Sequence, residues 1–251
     1  MLKRIFVLAL SVFFIGDIHA QSVEEMVEQA RQLEKQMKEV EALEKYREVL
    51  KIQPDQLQAL TGASELCSRE GNRQKNKEEK SKYFNTAKTY AASALALDAN
   101  SAEANYAMSV AMGRIALISG AKDKVAASKE VQKYAQLALK FNPGFAKAYH
   151  VLGKWNYEVA NLSAFEKGAA KVLFGGVPEG SLQEAINNYE KCRKLEPSFL
   201  LNYYDLAKAY KQDEQQEKTI EVLKKALTLR NIYQDDAAIK ADCKKMLEEL
   251  E

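Results

Sequence analysis

Four prolines and eleven glycines in 251 residues leave this chain poor in the two strongest helix breakers. Long uninterrupted helices are therefore open to it, while loop-rich and collagen-like architectures are not. Cysteine is as scarce. Cys67, Cys192 and Cys243 form no CxxC pair, and their odd number cannot complete an intramolecular disulfide set. Histidine occurs only at His19 and His150, and no two thiols have zinc-finger spacing, so neither a metal nor a cofactor is expected. Surplus charge is missing too: 37 basic against 35 acidic residues give +2, which supplies no general pull toward nucleic acid or an anionic membrane. The longest apolar run, Ile5 to Ile15, covers eleven positions, short of the roughly 20 that a membrane-spanning helix needs.

The usual marks of catalysis are also wanting. No nucleophile-elbow sequence surrounds any serine, and the carboxylate pairs Glu24-Glu25 and Glu248-Glu249 sit in charged helical stretches with the pattern of solvated faces. Phe174-Gly175-Gly176-Val177-Pro178 lacks the Lys-Ser/Thr ending of a phosphate loop; its glycines suit a reversal of chain direction. No catalytic residue is assigned, and the chain is read as a non-enzyme.

What is present is a repeat. Similar endings recur at Ile52-Gln53-Pro54, Leu97-Asp98-Ala99, Phe141-Asn142-Pro143 and Leu195-Glu196-Pro197. Before each comes a trio of mostly small or aromatic residues spaced by four and then three: Ala42, Tyr46 and Val49; Ala87, Ala91 and Ala94; Val131, Ala135 and Ala138; Ala185, Tyr189 and Cys192. That spacing lies on one helix face, and small side chains there let a partner helix approach closely. Leu223 and Ala226 before Asn231 mark a fifth unit. A short unit cannot bury its apolar face alone, so the units must stack. The spacing matches tetratricopeptide repeats, and Gly153 after Tyr149, with Ala207 after Tyr203, resembles that pattern in the first helix of a unit.

The closing positions are separated by 45, 44, 54 and 34 residues. Only the last equals the repeat length of about 34, so the others carry insertions of roughly 11, 10 and 20 residues. These fall at Gly71 to Lys82, around Gly120 to Ala127, and at about Ser163 to Ser181. The first, with its basic stretch Arg73 to Lys82, is expected to be a solvated connection. The third places Phe165, Ala169, Val172 and Leu173 on one side of a short helix, expected to fold back over a gap in the solenoid; contact with a membrane or a partner is the alternative. Trp155, beside the Gly153 packing position, is expected to be structural. Ala237, Ala241 and Leu247 are expected to pack a terminal helix on the fifth unit, with Lys244, Lys245, Glu248 and Glu249 wet. The fold predicted is an all-α, tetratricopeptide-repeat-like α-solenoid of about five helix-turn-helix units, with insertions and a C-terminal capping helix.

The stretch from Ala148 through Trp155, Ala169 and the Phe174-Gly175-Gly176-Val177-Pro178 segment to Pro197 resembles the regulator of microtubule dynamics family, long insertion included. The resemblance implies an α-solenoid and a link to microtubules; it carries over no catalytic residue. Against a literal reading stands the N-terminus. Lys3 and Arg4 precede the apolar run, and Ile18-His19-Ala20 offers a cleavage point before Gln21. Residues 1–20 are accordingly expected to be a signal peptide and 21–251 a single domain, exported, and periplasmic or secreted if the source is bacterial.

In a solenoid of this kind the first helices line the concave side. Offset from the packing face of Tyr149, Leu152 and Asn156 are Lys147, His150, Lys154 and Tyr157; the next unit offers Leu201, Tyr204, Lys208 and Lys211. Each set makes one stripe per helix. The expected partner is a protein or peptide, acidic in character, with lysines supplying charge and tyrosines apolar area. Nucleic acid and a stable membrane span are not expected. Lys154 stands where the carboxylate clamp of the repeat family has Asn, and Asp205 adds an opposing charge, so binding of chaperone tails is not implied. Alternatives are a cytoskeleton-associated regulator and a small-ligand carrier using the surroundings of Trp155 and Phe174.

Overall fold

A computed structural model describes residues 22–250, and the expected signal peptide lies outside the described residues. These fold into twelve helices and, among the described residues, no strand: α1 (Val23–Lys35), α2 (Glu39–Ile52), α3 (Leu57–Arg73), α4 (Lys77–Leu97), α5 (Ala102–Ile118), α6 (Ala121–Phe141), α7 (Ala146–Ala160), α8 (Ala164–Phe174), α9 (Leu182–Leu195), α10 (Leu200–Gln212), α11 (Gln216–Thr228) and α12 (Asp236–Glu248). Units pair α1 with α2, α3 with α4, α5 with α6, α7 with α9 and α10 with α11. Successive first helices also touch, α3 on α5, α5 on α7, α7 on α10 and α10 on α12. This is the expected tetratricopeptide-like solenoid.

Its seam is the predicted one. All four trios, together with Leu223 and Ala226, are buried on the second helix of their unit. Glycines opposite the seam's tyrosines let the helices meet. A Cβ built on Gly153 would stand 2.6 Å from the ring of Tyr189, and one on Gly62 2.6 Å from that of Tyr46, both inside any normal contact. Helix ends are set locally. Ser22 and Ser163 form capping boxes with Glu25 and Glu166, and Ser101 and Ser181 cap α5 and α9. Gln53, Asp98, Asn142 and Glu196, the polar residues of the recurrent endings, close the second helices, each N–H donating four residues back.

The insertions resolve differently. In the second and third units the extra residues lengthen both helices, so α3 and α5 run 17 residues and α4 and α6 run 21. Only Gln74 to Asn76 and Ser119 to Gly120 remain as turns. Arg73, read as part of a solvated connection, is instead held by carboxylates. The fourth unit carries its insertion as α8, which lies on α6. The expectation that α8 covers a gap is not met: only Ala170 is buried, while Phe165, Val172 and Leu173 face solvent. Gly175 and Gly176, at φ 71° and 79°, end the helix in a left-handed turn and reverse the chain as expected.

Two further positions follow the physics rather than the pattern. Trp155 is buried, its Nε1 donating to the carbonyl of Ser128 at 2.9 Å and to its hydroxyl at 3.0 Å. On α12 the buried residues are Asp236, Cys243 and Leu247, with Ile239 and Met246 half-buried; Ala237 and Ala241 are exposed, so the cap packs on a face rotated from the expected one. The three cysteines are free and buried, and burial pushes the thiols of Cys67 and Cys243 up to about 11 and that of Cys192 up to about 12.

Gly153→Val tests the seam. The substitution gains a few tenths of a kcal/mol in helix propensity, but overpacking against Tyr189 costs about 1–3 kcal/mol. We expect a melting temperature lower by roughly 3–8 °C in a thermal scan. A variant as stable as the parent would mean that the contact is not limiting.

Candidate functional site

The concave wall is built by one side of α3, α5, α7, α10 and α12, and the chain itself crosses it. Residues 229–235, between α11 and α12, reach back to the first units. Tyr233 lies under two cations, with the Arg69 guanidinium 5.0 Å and the Lys147 ammonium 5.3 Å from its ring centroid. Its edge meets Phe199 at 6.0 Å. Asp235 accepts from Arg73 at 2.8 and 3.1 Å. Asp236 fixes this path by accepting from the N–H groups of Ile232 and Tyr233 at 2.7 and 2.9 Å.

Arg73 and Arg69 converge on Glu39, which is 1 % exposed. Arg69 donates to Glu39 at 2.9 Å and to Glu34 at 3.0 Å, and Arg73 to Glu39 and Glu70 as well as Asp235. A buried carboxylate is tolerable only when paired in this way. Nearby, burial raises the Glu65 carboxyl, with Lys147 and Arg69 opposing the shift. Burial would lower the Lys147 ammonium, yet Glu65, Tyr106 and Tyr233 hold it above its ordinary value. Lys147, predicted as part of a ligand stripe, is thus committed to an internal contact.

The remaining predicted residues gather around Asp205, which is buried on α10. His150 is buried rather than displayed, and its Nε2 lies 3.0 Å from Asp205. Lys154 and Lys208 approach the same carboxylate at 3.7 and 3.6 Å. Both also stack near Tyr157, at 6.0 and 5.5 Å from its centroid, and Lys208 lies 5.4 Å from that of Tyr204. Lys154 is shared with Glu158 at 3.0 Å, and Lys211, at the outer edge, pairs with Glu249 at 3.1 Å. So the structure brings Lys154, Tyr157, Tyr204 and Lys208 into one half-buried cluster, sets Lys147 and His150 inside the packing, and leaves Lys211 at the rim. Leu201 packs near Cys192 and Phe199.

Sequence reasoning missed Tyr233, Arg69 and Arg114. Carrying the α7 stripe back into α5 and α3 in the same register would have reached Tyr106 and Glu65, with Arg114 and Arg69 just beyond. Arg114 donates to Asn72 at 3.0 Å, forms no ion pair among the described residues, and is lowered by burial. Hollows of about 410 and 370 Å³ lie elsewhere, beside Pro54, Leu60 and Leu97 and along Lys129, Lys133 and Leu137. Neither is lined by Trp155 or Phe174.

Two measurements test these networks. Burial alone would raise the Asp205 carboxyl, but His150, Lys154 and Lys208 together hold it at about 2. A depressed acid constant adds stability above the unfolded value and loses it as pH falls through the folded one. We therefore expect about 2 kcal/mol of stability to disappear between about pH 4 and pH 2, and Asp205→Asn to flatten that part of a urea-denaturation profile. An unchanged profile would contradict the assignment. For Glu39→Ala, removing one partner of a buried ion pair costs about 3–5 kcal/mol. Arg69 and Arg73 keep Glu34, Glu70 and Asp235, so a loss near 3 kcal/mol in the same assay is expected; no loss would make the network energetically idle.

A family model described as Regulator of microtubule dynamics protein 1-3 matches residues 26–251. Regulator of microtubule dynamics protein 2 of Homo sapiens is 27% identical over 176 residues, covering 70% of this chain and 43% of that protein. The protein 3 of Xenopus laevis is 28% identical over 171 residues, covering 68% and 37%. The chain thus spans less than half the length of these relatives. Among solved structures, a thermophilic TPR protein in Thermus thermophilus aligns with TM-score 0.63 at 14% identity, covering 91% of this chain and 98% of that one. A chain of the APC/C hetero-tetramer Cut9-Hcn1 aligns at 0.64 and 14%, covering 93% and 39%. Both show the fold alone. The named relatives are animal proteins called after microtubules, filaments of the cell interior, and this overturns the expectation of a periplasmic or secreted protein. With nearly its whole length matched, the chain belongs to the regulator of microtubule dynamics family.

Proposed function

We propose that this chain is a non-catalytic protein-interaction module of a microtubule regulator, holding a carboxylate-bearing segment of a polypeptide partner against α7 and α10. The observation that carries the reading is the cluster of Lys154, Lys208, Tyr157 and Tyr204 around Asp205. Asp205 supports carboxylate chemistry at this spot, since it already sits among three nitrogen-bearing side chains. Each lysine has three N–H donors, more than its contact with Asp205 uses. The tyrosines add area and an apolar floor of low conformational cost. The tetratricopeptide-like fold and the names of the relatives support a scaffold that acts on microtubules rather than an enzyme.

The occluded half of the trough narrows the place where a partner fits. Tyr233 and Asp235 occupy the surface of Arg69, Arg73 and Lys147, so the free stretch is the end nearer α10 and α12. The test is co-sedimentation with microtubules assembled from purified tubulin. We expect the parent chain to pellet, with binding weakened by salt, and Lys154→Glu/Lys208→Glu to reduce affinity about tenfold or more. Equal pelleting of the variant, or equal crosslinking from a photoreactive group at the convex position 133 and the concave position 208, would reject the groove.

A further inference from the structure

The most anomalous surface lies outside the trough, on α8. Exposed apolar residues scattered singly are ordinary, but a contiguous ridge on one helix is not. Phe165 and Val172 are both 84% exposed and Leu173 is 66% exposed. They follow one another around a single face, with half-buried Ala169 between them. Ala170, an i,i+3 neighbour of Leu173 at the edge of the ridge, is buried and makes the contact with the solenoid. Leu117, also exposed, lies in the last turn of α5 at the same end of the layer, where α7 runs into α8.

Charge around the ridge is mainly basic, exposed Asp123 between Lys122 and Lys124 being the counter-charge on α6. Lys167 and Lys171 run along α8, and Lys122 and Lys124 open α6 beside it; none of the four is in an ion pair among the described residues. The nearest carboxylate on α8, Glu166, is spent on the backbone N–H and hydroxyl of Ser163 at 2.8 and 2.7 Å. The helix is firmly bounded, by that capping box at one end and left-handed Gly175 at the other. A convex, capped amphipathic helix whose lysines, outside any ion pair although Lys167 donates to the Ala160 carbonyl at 3.4 Å, lie across the helix from large apolar side chains fits the boundary between anionic headgroups and acyl chains. No described helix is long and apolar enough to cross a membrane, so the contact is interfacial.

We propose that α8 docks this protein on an anionic lipid bilayer, Phe165, Val172 and Leu173 entering the acyl boundary and Lys122, Lys124, Lys167 and Lys171 meeting the headgroups. The inference is independent of the trough, because α8 shares no residue with the Asp205 cluster.

The experiment is flotation of the full chain with phosphatidylcholine vesicles, with and without phosphatidylserine, at low and high salt. Binding should require phosphatidylserine and weaken with salt. Phe165→Ser/Val172→Ser, which removes only exposed atoms, should lose about tenfold or more in affinity with helicity and melting temperature unchanged. Lys167→Gln/Lys171→Gln should lose the phosphatidylserine dependence. A local readout comes from Val172→Trp: lipid chains carrying bromine should quench the added indole while buried Trp155 stays bright. Absence of that quenching, or equal flotation of Phe165→Ser/Val172→Ser, would overturn the proposal. So would conversion of a dimer to a monomer by that variant, which would assign the ridge to a second copy, or loss of microtubule pelleting with vesicle binding intact, which would assign it to a protein. Lys154→Glu/Lys208→Glu should float like the parent, so failure of the trough leaves this result readable.

Discussion

The distance between neighbouring helices governs everything else in this molecule. Tyr189 against Gly153 and Tyr46 against Gly62 leave no room for a single extra carbon, and buried alanines line α4 and α6 in the middle layers. Small rotations between layers set by such contacts accumulate along the chain. By the sixth layer the accumulated turn has carried the start of α12 back toward α2 and α3. The result is the contact of Asp235 with Arg73, 162 positions away in sequence, and the approach of the Gln234 N–H to Glu39 across 195.

That return contact changes what the solenoid can do. An open trough offers its whole length to a partner, whereas here one end is occupied by Tyr233 beneath Arg69 and Lys147. The interactions are mostly ionic and half-buried, the kind that fix geometry more than they add stability. Glu39 is the exception, because its burial leaves it no water to fall back on. The same chemistry, a carboxylate shared by several cations beside tyrosine rings, recurs at Asp205. There no segment of the described chain lies across Tyr157 and Tyr204 as Tyr233 does across Arg69.

Much of the fold was legible in the sequence because the seam obeys a local rule. A 4-then-3 spacing of mostly small or aromatic residues needs no knowledge of distant segments, and it located the second helices of four units, the pair Leu223 and Ala226 marking the fifth. The terminal cap was legible at Leu247 and in its wet residues, but misread at its start for an instructive reason: Ala237 and Ala241 looked like packing residues, whereas the buried position at the start of α12 is Asp236, whose carboxylate serves two backbone N–H groups. An apolar-periodicity rule cannot find a buried carboxylate. The site was half legible. Stripe spacing found the residues around Asp205, but it could not reveal that His150 points inward or that Lys147 is taken by Tyr233, since both depend on superhelical turn.

The α8 insertion shows the opposite failure. Apolar residues at helical spacing were read as a face seeking the core, which is the usual outcome of hydrophobic burial. In the folded chain the layer closes without α8: the fourth unit pairs α7 directly with α9, and Trp155 joins it to α6 through Ser128. With no gap left to fill, α8 meets α6 through Ala170 and half-buried Phe174, whose carbonyl accepts from Lys129, while Phe165, Val172 and Leu173 turn outward. An insertion that adds apolar side chains without adding to the core burdens solubility. The ridge is therefore better understood as a surface complementary to something outside the chain, separate in position and in chemistry from the tyrosine-lysine trough.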